Sequence, residues 1–158
     1  MNAKILTLAE LAQRAEELRA QGRKLVLTNG CFDLLHVGHV RYLQQAAKLG
    51  DALAVAVNGD ESVRALKGPG RPLNGADDRA EVLAALECVD FVTVFPAMRA
   101  TEVIEAVRPG IYVKGGDYTL ESLDAEEVAA LKKAGAEIKT LQLVPGKSTT
   151  RLIERMHQ

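Results

Sequence analysis

Two of the chain's three histidines, His36 and His39, stand three residues apart around Gly38. They close the segment Asn29-Gly30-Cys31-Phe32-Asp33-Leu34-Leu35-His36-Val37-Gly38-His39. An apolar run, Lys24 to Thr28, comes just before, and a helical pattern from Val40 to Leu49 follows. The order strand, tight turn, helix predicts both imidazoles at a helix N-terminal end. Unpaired backbone N–H groups and the helix dipole favour an anion there, most often phosphate. Gly38 has no side chain, so a ligand can approach the backbone closely.

The elements that must position these residues follow from periodicity. Thr7-Leu8-Ala9-Glu10 has capping-box spacing, and Leu8, Leu11, Ala12, Ala15 and Leu18 repeat at helical period. Gly22 is placed to end that helix, so residues 1–23 read as a helical segment before the first strand. Strand-like runs follow at Lys24–Thr28, Ala52–Val57, Phe91–Phe95, Ile111–Val113 and Glu137–Val144. Helical patterns lie between them at 40–49, 61–66, 77–87, 99–107 and 123–134, and a last one begins near Ser148. This alternation predicts α/β architecture: one domain over 1–158, with a doubly wound, parallel, five-stranded sheet. The Gly/Pro-rich stretch from Lys67 to Gly75 reads as a mobile loop within that domain.

Chemistry-bearing turns fall where such a sheet binds ligands. The histidine segment follows strand one, and Asn58-Gly59-Asp60 follows strand two. Lys114-Gly115-Gly116-Asp117-Tyr118 follows strand four, and Pro145-Gly146-Lys147-Ser148-Thr149-Thr150 follows strand five. Carboxyl ends of strands are the binding edge of an open α/β sheet. Four glycine-bearing turns on one edge, two beside a lysine, predict a phosphate cleft.

Each residue also has a plainer reading. Two histidines at i, i+3 could be half a zinc site, but only His157 and two scattered cysteines remain as partners. Asp33 either braces the turn or works near the phosphates. Cys31 reads as a small packing residue, and Asp60 as a helix N-cap or a ligand contact. Lys67 and Arg71 are either solvated loop charges or phosphate ligands. Arg79 stands at a helix start, where the dipole disfavours a cation, which hints at a bound anion. Ser148-Thr149-Thr150 can both cap a helix and cradle phosphate.

Composition excludes several classes. A net charge of −1 and 4% aromatics argue against nucleic-acid binding, which needs a basic face and stacking platforms. Two cysteines make no disulfide framework and suit a reducing compartment. Lys4, Glu10, Arg14, Glu16 and Glu17 interrupt any apolar stretch near the start, so no signal peptide or membrane span is predicted. A cytoplasmic protein with no membrane partner is expected.

Residues 30–39 resemble the G-x-F-D-x-x-H-x-G-H signature of the cytidylyltransferase-like nucleotidyltransferases, six fixed positions within ten. Within that superfamily the chain looks most like the heptose 1-phosphate adenylyltransferases of lipopolysaccharide core synthesis. The matching stretches are Thr28–Leu43, Ala54–Asn74, Val113–Tyr118 and Ser148–Thr150. Gly59 stands where the resemblance leads one to expect a serine. The resemblance implies a Rossmann-like nucleotidyltransferase fold and transfer of AMP from ATP to a heptose 1-phosphate. It implies catalytic roles for His36, His39 and Lys67, and nucleotide contacts from Asn29, Gly30, Cys31, Phe32, Asp33, Gly38, Ser148, Thr149 and Thr150. Asp60, Arg71, Arg79, Lys114, Gly115, Gly116 and Asp117 are the further candidates for substrate or phosphate. Mg²⁺ is expected to arrive with ATP, bridging phosphate oxygens, with no metal ligand set on protein side chains. Some members carry a fused sugar kinase. Since 158 residues leave no room for one, that activity is expected on a separate protein. The oligomeric state stays open, a homodimer among the options. A cytidylyltransferase acting on glycerol 3-phosphate, and a non-catalytic ATP-binding module, remain the alternatives.

Overall fold

A computed structural model describes residues 2–116, 121–142 and 148–158. Among them the chain runs α1 (Leu8–Ala20), β1 (Leu25–Gly30), α2 (Val37–Ala47), β2 (Ala52–Asn58), α3 (Asp60–Lys67) and α4 (Ala76–Ala84). It continues through β3 (Phe91–Phe95), α5 (Thr101–Val107), β4 (Ile111–Gly115), α6 (Ala125–Ala134), β5 (Glu137–Leu141) and α7 (Thr149–Met156). The strands form one parallel sheet in the order β3-β2-β1-β4-β5. The fold is the doubly wound α/β sheet that the alternation of elements predicts.

Period-two alternation splits the central strands between two cores. Leu25 and Leu27 of β1, Ala52, Ala54 and Ala56 of β2, and Tyr112 of β4 pack with Leu11, Ala15, Val103, Ile104 and Leu131 from α1, α5 and α6. Val26, Leu53, Val55, Val57, Ile111 and Val113 face the other way, against Tyr42, Leu43, Ala80 and Leu83 from α2 and α4. Strands covered on both faces read as nearly continuous apolar runs, which is why β2 is buried throughout.

Several boundaries shift, and the shifts matter for the cleft. β1 extends past Thr28 to include Asn29 and Gly30, and β4 extends to Lys114 and Gly115. α2 starts at Val37 rather than Val40, because His36 itself is the N-cap. Thr7 and Glu10 form the expected capping box on α1, with Gly22 left-handed just after the helix at φ 71°. One feature had no sequence signal. Residues before α1 run along the edge strand β3, where Leu6 donates to the Val92 carbonyl and Val92 to that of Lys4, at 2.8 and 2.9 Å. That contact covers an edge that would otherwise present unpaired backbone groups.

Tyr42 ties α2 to the sheet. Its buried hydroxyl donates to the Val113 carbonyl at 3.2 Å, so Thr28 Oγ1, 2.7 Å away, donates to it in turn. Burial pushes the phenol up to about 12, against the opposing pull of the Thr28 hydrogen bond.

Candidate active site

From β1 the chain moves outward through β2 to β3, then returns to the other side of β1 to build β4 and β5. The crevice outside the carboxyl ends of β1 and β4 is therefore the topological switch point, where open α/β sheets bind ligands. A cleft of about 500 Å³ opens there. It is lined by Asn29 to Asp33, His36, Gly38, His39, Lys67, Arg71, Lys114, Gly115 and Ser148 to Thr150. Parts of four separate chain segments, predicted from sequence as one phosphate edge, thus face one space.

Local geometry explains the signature. A side-chain carbon at Gly30 would lie 2.9 Å from the Phe32 ring, so any larger residue there would force the ring to shift. Phe32 itself has φ 49°, a left-handed conformation that is costly for a bulky residue and concentrates at functional turns. The turn delivers His36 to the N-cap of α2. There His36 Nδ1 accepts from the Gly38 N–H at 3.0 Å, and His39 Nδ1 accepts from the His36 N–H at 3.3 Å. An imidazole accepting at Nδ1 carries its proton on Nε2, so each ring is a neutral Nε2–H donor. The two rings lie 4.0 Å apart, and Phe32 packs 5.5 Å from His39. Burial, then the neighbouring His36, holds the His39 pKa down at about 4.

Asp33 resolves to its bracing reading. Its buried carboxylate accepts from the Leu73 and Asn74 N–H groups and from Arg71 Nε, at 2.8, 3.0 and 2.7 Å. Burial raises its pKa, but those donors outweigh it and hold the carboxyl below its usual range. The stretch expected to be a mobile loop is thus fastened to the signature from Arg71 to Asn74. Lys67 is not in that loop either: it is the last residue of α3, whose carbonyl end favours a cation.

Two candidates are redirected outright. Arg79, expected to mark a bound anion, has no exposed side-chain surface. It donates to the carbonyls of Asn74, Cys31 and Asn58 and to Asp60 Oδ1, at 2.7 to 2.9 Å. Its charge is met within the protein, so it braces the cleft floor. Asp60 is neither the cap of α3, which is Gly59, nor a lining residue of the cleft; it is the partner of Arg79.

Ser148 is the N-cap of α7, its Oγ accepting from the Arg151 N–H at 3.0 Å. Thr149 Oγ1 donates to the Leu34 carbonyl at 2.8 Å and joins this helix start to the signature loop. Asn29 Oδ1 accepts from the Tyr112 hydroxyl. The Cys31 thiol is pushed up by burial, against the pull of the Lys67, Arg79 and Arg71 charges, so it is no thiolate nucleophile. Gly116 follows β4 at φ 97°, its N–H bonded to the Leu141 carbonyl. Asp117, Tyr118 and Pro145 to Lys147 lie outside the described residues.

Asn58, from the predicted turn after β2, also lines the cleft, as do Met98, Arg99 and Glu127, which sequence reasoning did not single out. Asn58 had a signal, since it ends β2 on the binding edge. Glu127 had none. It sits inside α6, yet its buried carboxylate accepts from the Ala100 N–H of the neighbouring helix at 2.8 Å. Among the described residues no three His, Cys, Asp or Glu side chains converge as a metal cage.

Comparison with known proteins places this geometry. The cytidylyltransferase-like family matches residues 27–155. The chain belongs to that family. The bifunctional protein HldE of Geobacter sulfurreducens is 47% identical over 98% of this chain and 31% of its own length. HldE of Geotalea uraniireducens is 49% identical over the same shares. This chain thus spans about a third of the HldE relatives. A crystal structure of the lipopolysaccharide core biosynthesis protein from Thermoplasma volcanium GSS1 aligns with a TM-score of 0.64 and 28% identity, over 78% of this chain and 98% of that one. Pantoate-beta-alanine ligase from Francisella tularensis shares the fold alone, at a TM-score of 0.56 and 14% identity, over 87% of this chain and 66% of its own. No helix among the described residues is long and apolar enough to cross a membrane.

Arg79→Met should cost about 3–5 kcal/mol of stability in urea unfolding, because it leaves the Asn74, Cys31 and Asn58 carbonyls without their donor, at about 1–3 kcal/mol each. A loss confined to ligand affinity would contradict the bracing role. His39 gives a pH signature. Its folded pKa lies below the ordinary 6.5, so the unfolded chain binds more protons between pH 6.5 and about 4. Its contribution to stability is therefore complete above pH 6.5 and is lost as the pH falls toward 4. His39→Gln should narrow the difference in urea midpoint between pH 7.5 and pH 5 relative to wild type; an unchanged difference would refute this.

Proposed function

We propose that the chain is an adenylyltransferase that transfers AMP from ATP to a heptose 1-phosphate, giving ADP-heptose and pyrophosphate. The observation that carries this reading is the meeting of two anion-binding walls at the switch point. One wall is the paired histidines with the Ser148 helix start; the other holds Lys67 and Arg71. The heptose assignment draws on the HldE relatives and on the Val113 to Tyr118 stretch. A β anomer is expected from the resemblance alone.

A phosphate monoester is largely dianionic near neutrality, its second pKa being about 6, so the acceptor needs no general base. Its oxygen attacks the α-phosphorus in line as pyrophosphate leaves. The barrier lies in bringing two anions together while charge grows on the bridging oxygen, so catalysis is positioning and electrostatic stabilisation. His36 and His39 meet that charge with Nε2–H donors. Because their Nδ1 atoms are fixed by backbone N–H groups, the rings need no reorganisation as charge develops. Ser148 and Thr149 receive the leaving phosphates at the start of α7, and Lys67 neutralises charge from the end of α3. A divalent ion such as Mg²⁺, when bound with ATP, would lower the net charge of the phosphates.

ATP with D-glycero-D-manno-heptose 1-phosphate should yield an ADP-sugar by phosphorus NMR, with CTP and glycerol 3-phosphate poor replacements. A CDP-alcohol as the main product would instead establish a cytidylyltransferase. Under the same conditions His39→Ala should lower turnover by about 10²–10³-fold, the scale for removing one oxyanion-type donor. Near-normal turnover in a folded His39→Ala protein would rule out this mechanism.

A further inference from the structure

The fastening of Arg71 to Asp33 does more than close a loop. Asp33 is 1% exposed and Arg71 16% exposed at the side chain, and they meet through Nε at 2.7 Å. Two backbone N–H groups, of Leu73 and Asn74, hold the same carboxylate in place. Among the described residues Arg71 makes no other hydrogen bond, so its four Nη hydrogens remain available while the residue lines the cleft. A guanidinium is planar, so fixing Nε on a buried carboxylate also fixes the direction of the Nη edge.

We propose that Asp33 is a positioning residue that presents Arg71 as a fixed, two-pronged receptor for the phosphate of the acceptor substrate. The proposal rests on the sugar-phosphate reading above and assigns one half of the cleft within it. Topology supplies the argument. His36, His39 and Ser148 belong to helix starts that follow β1 and β5, and the Thr149 bond to Leu34 joins those starts. Lys67 and Arg71 come instead from the connection between β2 and β3, on the far side of β1. Two phosphorylated molecules that must meet head-on need two receptors, one on each side of the reacting phosphorus. A monoester presents three oxygens, which a bidentate guanidinium matches in geometry. The Asp33 charge offsets that of Arg71, so the fork supplies directed hydrogen bonds, and Lys67 supplies the net positive charge.

Pyrophosphate release should be followed in the full chain and in Arg71→Ala, Arg71→Lys and Asp33→Asn, each checked by circular dichroism. Arg71→Ala should raise KM for the sugar phosphate about 10–100-fold, the scale of lost charge-assisted hydrogen bonds, with KM for ATP within about twofold of wild type. Asp33→Asn should raise the same KM and add little to Arg71→Ala in the double variant, since both remove one contact. Additive effects, an unchanged KM for the sugar phosphate, or a rise confined to ATP would each overturn the proposal. Arg71→Lys carries the orientation claim if Asp33→Asn does not fold: a lysine that restores the wild-type KM would show that charge without direction suffices. If the wild type forms no ADP-sugar, the sugar-phosphate reading fails separately. Calorimetric titration with inorganic phosphate then decides the fork, weaker binding in Arg71→Ala sustaining it and equal binding overturning it.

Discussion

Arg79 holds three chain segments at one point: the signature loop through the Cys31 carbonyl, the end of β2 through Asn58, and the Gly/Pro stretch through Asn74. A guanidinium this deeply buried is tolerable only because carbonyl dipoles and the Asp60 carboxylate meet its charge. Asp33 repeats the arrangement with opposite sign, a buried carboxylate met by backbone N–H groups and by Arg71. Together these two side chains fix the floor of the cleft. With the Asn74 side-chain amide, which donates to the Asp33 backbone carbonyl at 3.1 Å, they give the signature loop and the segment after α3 a common reference.

On that floor the histidine pair is set by backbone rather than by charge. Each Nδ1 accepts from an N–H at the start of α2, which selects the neutral tautomer and aligns the rings 4.0 Å apart. Two imidazolium ions so close would repel, and burial of His39 adds to the cost of charging it. The cleft therefore divides its polar lining between neutral, oriented donors at the start of α2 and cations from other segments, Lys67, Arg71, Arg99 and Lys114. This division suits a reaction in which two anions approach and charge is redistributed between them.

The doubly wound topology makes this division possible. β1 lies at the centre, and the chain leaves it toward β2 and β3 before returning to build β4 and β5. Segments far apart in sequence, such as Arg71 and Thr149, reach one crevice from opposite sides because their strands end at the same edge. Alternation along β1 and β2 supports the crevice from below, with Leu27 and Ala54 facing one helical layer and Val26 and Val55 the other.

The sequence by itself determined the element order, the parallel α/β sheet and the edge that carries the ligand-binding turns. Those features rest on local signals: period two, period 3.6, capping spacing and the glycine turns. The Asn29 to His39 signature was legible for the same reason, since its strand, turn and helix start are contiguous. Tertiary structure alone decided what the charges do. Arg79 and Asp60 look like ligand-facing charges in one dimension, and only folding brings them together across 19 residues. Asp33 finds Arg71 across 38 residues, and Glu127 reaches Ala100 across 27, pairings that no local pattern encodes. A charged side chain is read from sequence only as a potential. Whether it meets solvent, ligand or a buried partner depends on contacts between distant segments, and those exist only once the sheet has closed its two cores.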